Sequence, residues 1–291
     1  MKNAYASVYR SDVVRKELMA YYDRILQNWP VPYEEKYVET RSGKTHILLC
    51  GNVDGRPLLL FHGTGNNSLM WRYNVEALGK HFRLHLIDTI NDPGKSQAAM
   101  DFNPEPGYAC WIEEVMDALG IRKALLVGYS KGGWIALNTA IHSATRVEKV
   151  VLLAPAAGIN ASVKPGFMLK SLRVGLLPSM KAIESYVRYL SGSDTLPQAD
   201  YVEYLYKLVK GTRLKMVAHH KFSDDELKNL DVPVMLLFGE NEVSVAFRKV
   251  VERAEACIRQ LTVHIAADAG HALPGEKPDV VNELIIRHLQ H

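Results

Sequence analysis

The 291-residue chain is 47% hydrophobic and 23% charged, with 35 Lys+Arg against 32 Asp+Glu. That composition can build one sizeable core carrying an insertion, and the balanced charge without a dense basic run excludes an electrostatic footprint for nucleic acid. Small-molecule chemistry is the class that remains. Cys50, Cys110 and Cys257 are scattered, without the spacing of a metal knuckle or a disulfide framework, which fits a reducing compartment. Residues 1–10 lack a basic stretch followed by an apolar one, and no apolar run reaches membrane-spanning length, so a cytoplasmic protein without stable membrane insertion is expected.

In chain order, Ser11 predicts the cap of a helix in which Val14, Leu18, Tyr21, Tyr22 and Ile25 recur at helical spacing, ended before Pro30. Glu35 to Thr40 and Lys44 to Cys50 then predict two strands joined by Arg41-Ser42-Gly43, an antiparallel hairpin. From Pro57 onward short apolar runs alternate with helical stretches. The runs are Leu58 to Phe61, Phe82 to Ile87, Ala124 to Gly128 and Val150 to Leu153. The helices between them are expected over Leu69 to Leu78, Tyr108 to Leu119 and Gly132 to Ile141. This alternation predicts a mostly parallel sheet covered by helices on both faces. From Ala157 to Leu230 the strand signal stops and helical pieces appear, including Lys181 to Leu190 and Tyr201 to Lys210. Strands return at Val234 to Phe238 and Leu261 to Ile265, with a helix between them and a last helix through Val281, Leu284, Ile285 and Leu289.

The chemistry concentrates at Gly128-Tyr129-Ser130-Lys131-Gly132. This G-x-S-x-G directly follows the apolar run Ala124 to Val127 and directly precedes a helical pattern. In that setting a sharp strand-to-helix turn holds the serine in a strained conformation at the end of the sheet, and the two glycines allow close backbone approach.

In these residues the chain resembles the α/β-hydrolase family, specifically its serine carboxylesterase-like branch with a helical cap, over nearly everything after the first helix. The resemblance implies residues 1–30 as an N-terminal helical extension, 31–156 and 231–291 as the α/β-hydrolase core, and 157–230 as the cap. It also implies Ser130 as nucleophile and His271, in Ala269-Gly270-His271-Ala272 between the last strand and the last helix, as general base. The acid falls after the run Val234 to Phe238, where the family places Asp three residues beyond a glycine. That position after Gly239 is Glu242, with Glu240 as the fallback. The order Ser130, Glu242, His271 is the family's own.

Oxyanion stabilisation calls for two backbone N–H donors, here Lys131 after the nucleophile and Thr64 in His62-Gly63-Thr64-Gly65. His62 is expected to order that loop and stay outside the triad. Gly63 to Ser68 begins like a dinucleotide fingerprint but ends in Ser. Asn91 to Ser96 looks like a P-loop without its first glycine and is assigned shape, not catalysis. The Lys131 side chain is expected to face solvent or, more sharply, to favour acidic substrates. Met168, Leu169, Leu172, Leu176, Leu177 and Met180 would form cap core or line an acyl pocket, and His219 and His220 are read as surface residues. The implied reaction is hydrolysis of a small carboxylic ester through an acyl-enzyme, with no metal or organic cofactor. Thioester, lactone, amide or carbon–carbon bond hydrolysis, acyl transfer, or ligand binding on an inactive fold are the alternatives. Oligomeric state is not readable.

Overall fold

A computed structural model describes residues 7–99, 102, 104–160, 163–192, 197–213 and 220–291. Helix α1 (Asp12–Leu26) starts where expected, with the Ser11 side chain accepting from the Val14 N–H at 3.3 Å. Strands β1 (Tyr33–Thr40) and β2 (Gly43–Gly51) form the hairpin, closing at the Thr40–Gly43 pair. Strand β3 (Arg56–Phe61) is followed by a 3-10 turn over Ser68–Tyr73 and the short helix α2 (Val75–Gly79). The single helix expected over Leu69 to Leu78 is therefore broken at Asn74, whose side chain is drawn to Asn282 at 2.8 Å. Strand β4 (Phe82–Ile87), the two-residue β5 (Gln97–Ala98), helix α3 (Pro104–Ala118), strand β6 (Ala124–Tyr129), helix α4 (Lys131–His142) and strand β7 (Val147–Leu153) follow.

Between β7 and β8 the described residues form four helices and no named strand: α5 (Pro165–Leu176), α6 (Met180–Leu190), α7 (Ala199–Gly211) and α8 (Asp224–Lys228). The chain then returns through β8 (Val234–Gly239), α9 (Phe247–Cys257), β9 (Leu261–Ala266), α10 (Leu273–Glu276) and α11 (Pro278–Gln290).

The strands lie in the order β1-β2-β4-β3-β6-β7-β8-β9, with β5 paired to β2. From β4 to β9 every pairing is parallel. Strands β3, β4, β6, β7 and β8 are buried along most of their length and so read as continuous apolar runs without alternation, whereas the edge strand β9 is partly exposed. Leu58 to Phe61 and Leu125 to Val127 are fully buried at the centre. The C-terminal ends of β6 and β8, with the loop after β9, come to one edge of the sheet, as ligand sites do in open α/β sheets. Helix α1 joins the same core through Leu18, Tyr22 and Ile25, and Tyr21 stacks on Tyr204 of α7 at 5.5 Å. Among the described residues no helix is long and apolar enough to cross a membrane.

A charge cluster lies at the hairpin side, with His46 and Asp88 buried and Glu35 exposed. The His46 ring lies between Asp88, 2.9 Å from Nδ1, and Glu35, 2.8 Å from Nε2. Asp88 also accepts the Ser68 and Lys95 N–H groups, and the Lys95 ammonium bonds Glu35. Burial works against the His46 cation, but the charges and hydrogen bonds of Asp88 and Glu35 outweigh it and raise its pKa. The hydrogen bond from His46 is the largest influence on Glu35 and takes its carboxyl down to about 2. Burial would raise Asp88, yet the His46 charge carries it well below the ordinary carboxylate range.

Because His46 titrates higher folded than unfolded, its contribution is complete below the unfolded histidine value near ~6.5 and is lost as pH rises through the folded one. The carboxylates titrate lower when folded, so theirs is present above about 4 and lost as pH falls through their folded values. Thermal melts of the wild type and His46→Asn should therefore differ most between about pH 4.5 and 6.5 and converge as pH rises through the raised folded value of His46. A difference independent of pH would contradict the doubly paired imidazolium.

Candidate active site

Ser130 follows β6 and caps α4 with φ 51° and ψ −114°, a conformation that costs an L-residue on the order of 1–3 kcal/mol. Its surroundings over-determine the turn. The Ser130 N–H donates to Leu153 O at 2.9 Å, and its carbonyl accepts from Ala156 at 3.0 Å. A Cβ on Gly128 would run into the Gly132 carbonyl, and one on Gly132 into the Phe61 carbonyl, so both positions require glycine.

His271 Nε2 lies 3.3 Å from Ser130 Oγ, and Nδ1 lies 2.8 Å from Glu242 Oε2. The structure thus brings the three expected residues into one hydrogen-bonded row. Glu242 and His271 are buried, while Ser130 is half-buried at the open end. Burial alone would raise the Glu242 pKa, but the adjoining His271 and the Ser244 hydrogen bonds lower it, so the carboxylate stays ionised. A carboxylate there fixes the Nδ1–H tautomer and leaves Nε2 free to accept the serine proton. Glu240 is exposed and its carboxylate meets the Asp268 N–H at 3.4 Å, away from the imidazole.

Glu242→Gln should lower kcat by about 10³–10⁴-fold, because an amide can stabilise the wrong imidazole tautomer and carries no charge. Glu242→Asp should lose about 10²-fold from the shorter arm. Equal, small losses in both variants, measured on any ester the enzyme turns over, would move the acid elsewhere.

Three contacts around this row were not read from the sequence. Ser244 donates its N–H to Glu242 Oε1 at 2.5 Å and places Oγ 3.2 Å from His271 Nδ1. Its only sequence signal is a hydroxyl two residues after the acid, a common local turn pattern. Lys164, at the start of α5, donates from Nζ to the Glu242 carbonyl at 2.6 Å. Leu190 O, at the end of α6, accepts the His271 N–H at 2.6 Å. Both anchors come from the helical segment between β7 and β8, so that segment holds the loops that carry Glu242 and His271.

The N–H groups of Thr64 and Lys131 have no hydrogen-bond acceptor among the described residues, and Lys131 opens α4, whose dipole adds positive potential at the serine. His62 is outside the row. Its Nδ1 donates to Gly63 O at 2.9 Å and its Nε2 accepts the Thr89 N–H at 2.9 Å, and burial pushes its pKa down, so a neutral ring orders the loop.

The Lys131 side chain corrects both expectations held for it. It is buried, with Nζ 2.6 Å from Asp92 Oδ2, and neither faces solvent nor is available to a substrate carboxylate. Burial opposes its charge, but Asp92 outweighs burial and raises the pKa. Asp92 Oδ1 also accepts the Gly65 N–H at 2.9 Å. The Asn91 to Ser96 turn therefore ties the Thr64 loop to the start of α4. Of the cap histidines, His219 lies outside the described residues. His220 is half-buried, packed against Phe222 at 4.6 Å and Trp134 at 5.7 Å, so it is not a surface residue. Met168, Leu169, Leu172, Leu176, Leu177 and Met180 are exposed, which overturns the cap-core expectation.

Comparison with known proteins places this geometry in a family. Residues 58–284 match the α/β hydrolase family. The chain is 33% identical to carboxylesterase YbfK of Bacillus subtilis, over 92% of each sequence. Its structure matches the crystal structure of carboxylesterase CesB (YbfK) from that organism with a TM-score of 0.88 at 30% identity, over 95% of this chain and 98% of that one. The naproxen esterase (carboxylesterase NP) of Bacillus subtilis matches with the same TM-score at 28% identity, over 96% and 99%. The chain belongs to the α/β-hydrolase family.

Proposed function

We propose that the protein is a serine carboxylesterase in which Ser130, His271 and Glu242 form the catalytic triad. The observation that carries the reading is the continuous row from Glu242 through His271 to a strained Ser130. His271 Nε2 removes the Ser130 proton as Oγ attacks the ester carbonyl carbon, and the oxyanion is held by the N–H groups of Lys131 and Thr64. The imidazolium, stabilised by Glu242, protonates the departing alcohol. Water then enters, His271 Nε2 removes its proton as its oxygen attacks the acyl carbon, and the imidazolium returns that proton to Ser130 Oγ as the C–Oγ bond breaks and the acid leaves. The substrate is a small-molecule ester, consistent with what the relatives' names say of them.

Residues 157–230 act as a cap over a core of 31–156 and 231–291, with 1–30 as an extension. Support comes from the anchoring of both catalytic loops by Lys164 and Leu190. A cytoplasmic location fits three free cysteines, two of them buried. Purified protein should hydrolyse p-nitrophenyl esters, with a best acyl length that reports pocket depth. Absence of turnover across acetate to decanoate would remove the esterase reading.

A further inference from the structure

Helix α5 has two apolar faces. One carries the buried Val174 and packs against α6 and α7. On the other, Met168, Leu169, Leu172 and Leu176 recur at helical spacing, and with Leu177 they are 52–71% exposed. Isolated exposed leucines are ordinary, but five large apolar side chains within ten residues form a contiguous patch, which on a folded protein marks an interaction site.

The charge around the patch is one-sided. Residues 163–183 contain Lys164, Lys170, Arg173 and Lys181 and no Asp or Glu. Lys164 is engaged at the active site and the Lys170 ammonium lies over the Tyr189 ring of α6 at 4.2 Å, which leaves Arg173 and Lys181 beside the apolar stripe. We propose that this face of α5 docks on an anionic lipid surface, with the leucines entering the acyl boundary and the two cations meeting headgroups, as a helix lying in the membrane plane does. A second copy of the chain fits less well. A twofold contact sets a patch against itself, and here it would bring these cations together with no acid in the segment to separate them.

The helix also begins at the active site. The Phe167 ring lies 5.9 Å from that of His271, and the Lys164 N–H donates to Ser244 O at 2.8 Å. Docking would hold the Ser130 mouth near the bilayer and supply it with esters dissolved in lipid. That substrate class rests on the esterase reading, whereas the docking itself does not.

The test is flotation of the full chain with vesicles of phosphatidylcholine containing 30% phosphatidylglycerol, against vesicles of phosphatidylcholine alone. The wild type should float with the anionic vesicles and be released by high salt. Leu169→Gln/Leu172→Gln should weaken partitioning at least ~10-fold, and Arg173→Gln and Lys181→Gln each about fivefold. All variants should keep wild-type turnover of p-nitrophenyl acetate. Wild-type protein that stays with the aqueous fraction, or variants that float as well as it does, would overturn the proposal. So would a solution dimer that Leu169→Gln/Leu172→Gln dissociates in the absence of vesicle binding. Absence of wild-type turnover on every p-nitrophenyl ester from acetate to decanoate would remove the esterase reading and leave the flotation result standing.

Discussion

Ser130→Ala should lower kcat for every ester substrate by roughly 10⁴–10⁶-fold while leaving the melting temperature unchanged or raised. The loss is large because no second nucleophile is in place: Ser244 Oγ lies on the Nδ1 side of His271, 3.2 Å away, where it cannot use Nε2 as a base. The fold should persist because the Ser130 backbone, not its hydroxyl, anchors the turn through Leu153 and Ala156. Alanine at φ 51° keeps the existing strain, so any stability change is confined to the lost hydroxyl contact. Paired kinetics and thermal melts measure both halves. Residual turnover above one-hundredth of wild type would mean that another group attacks the ester.

The second large effect concerns stability. Lys131→Met should destabilise the protein by about 3–5 kcal/mol, because it leaves the Asp92 carboxylate buried with its charge uncompensated. Asp92→Asn in the Lys131→Met background should recover part of that loss by removing the orphaned charge. Denaturant midpoints of the wild type, both single variants and the double variant give the coupling directly. A Lys131→Met loss below about 1 kcal/mol would show that the pair is better solvated than its burial indicates. Lys131→Met should also leave the ratio of carboxylate-bearing to neutral ester turnover unchanged, since Nζ is buried against Asp92. Its effect on kcat for both classes reports how far the Gly65 loop depends on Asp92.

What the sequence made legible follows the range of each interaction. The parallel strands were readable because burial on both faces writes an unbroken apolar run, as in Leu58 to Phe61. Ser130, Glu242 and His271 were readable because each occupies a fixed slot at the end of a strand, and the structure brings those slots together. The direction of the Lys131 side chain was not readable, because it depends on Asp92, 39 residues earlier, in a turn whose sequence suggests only a loop. Apolar character alone does not say on which side water lies, so Leu169 and Leu172, expected as cap core or acyl-pocket lining, are exposed on α5. The break at Asn74 is likewise set by Asn282, far along the chain. The bracing of Glu242 and His271 by Lys164 and Leu190 passes through a lysine ammonium and a backbone carbonyl, neither of which leaves a motif.

The most direct test of the central claim is peptide mass spectrometry after treatment with a fluorophosphonate, which reacts covalently only with an activated serine. One adduct is expected, on the peptide carrying Ser130, and it should be lost in His271→Ala although Ser130 is still present. An enzyme that turns over esters yet carries no adduct, or carries it on another residue, would contradict the assignment of Ser130 as nucleophile.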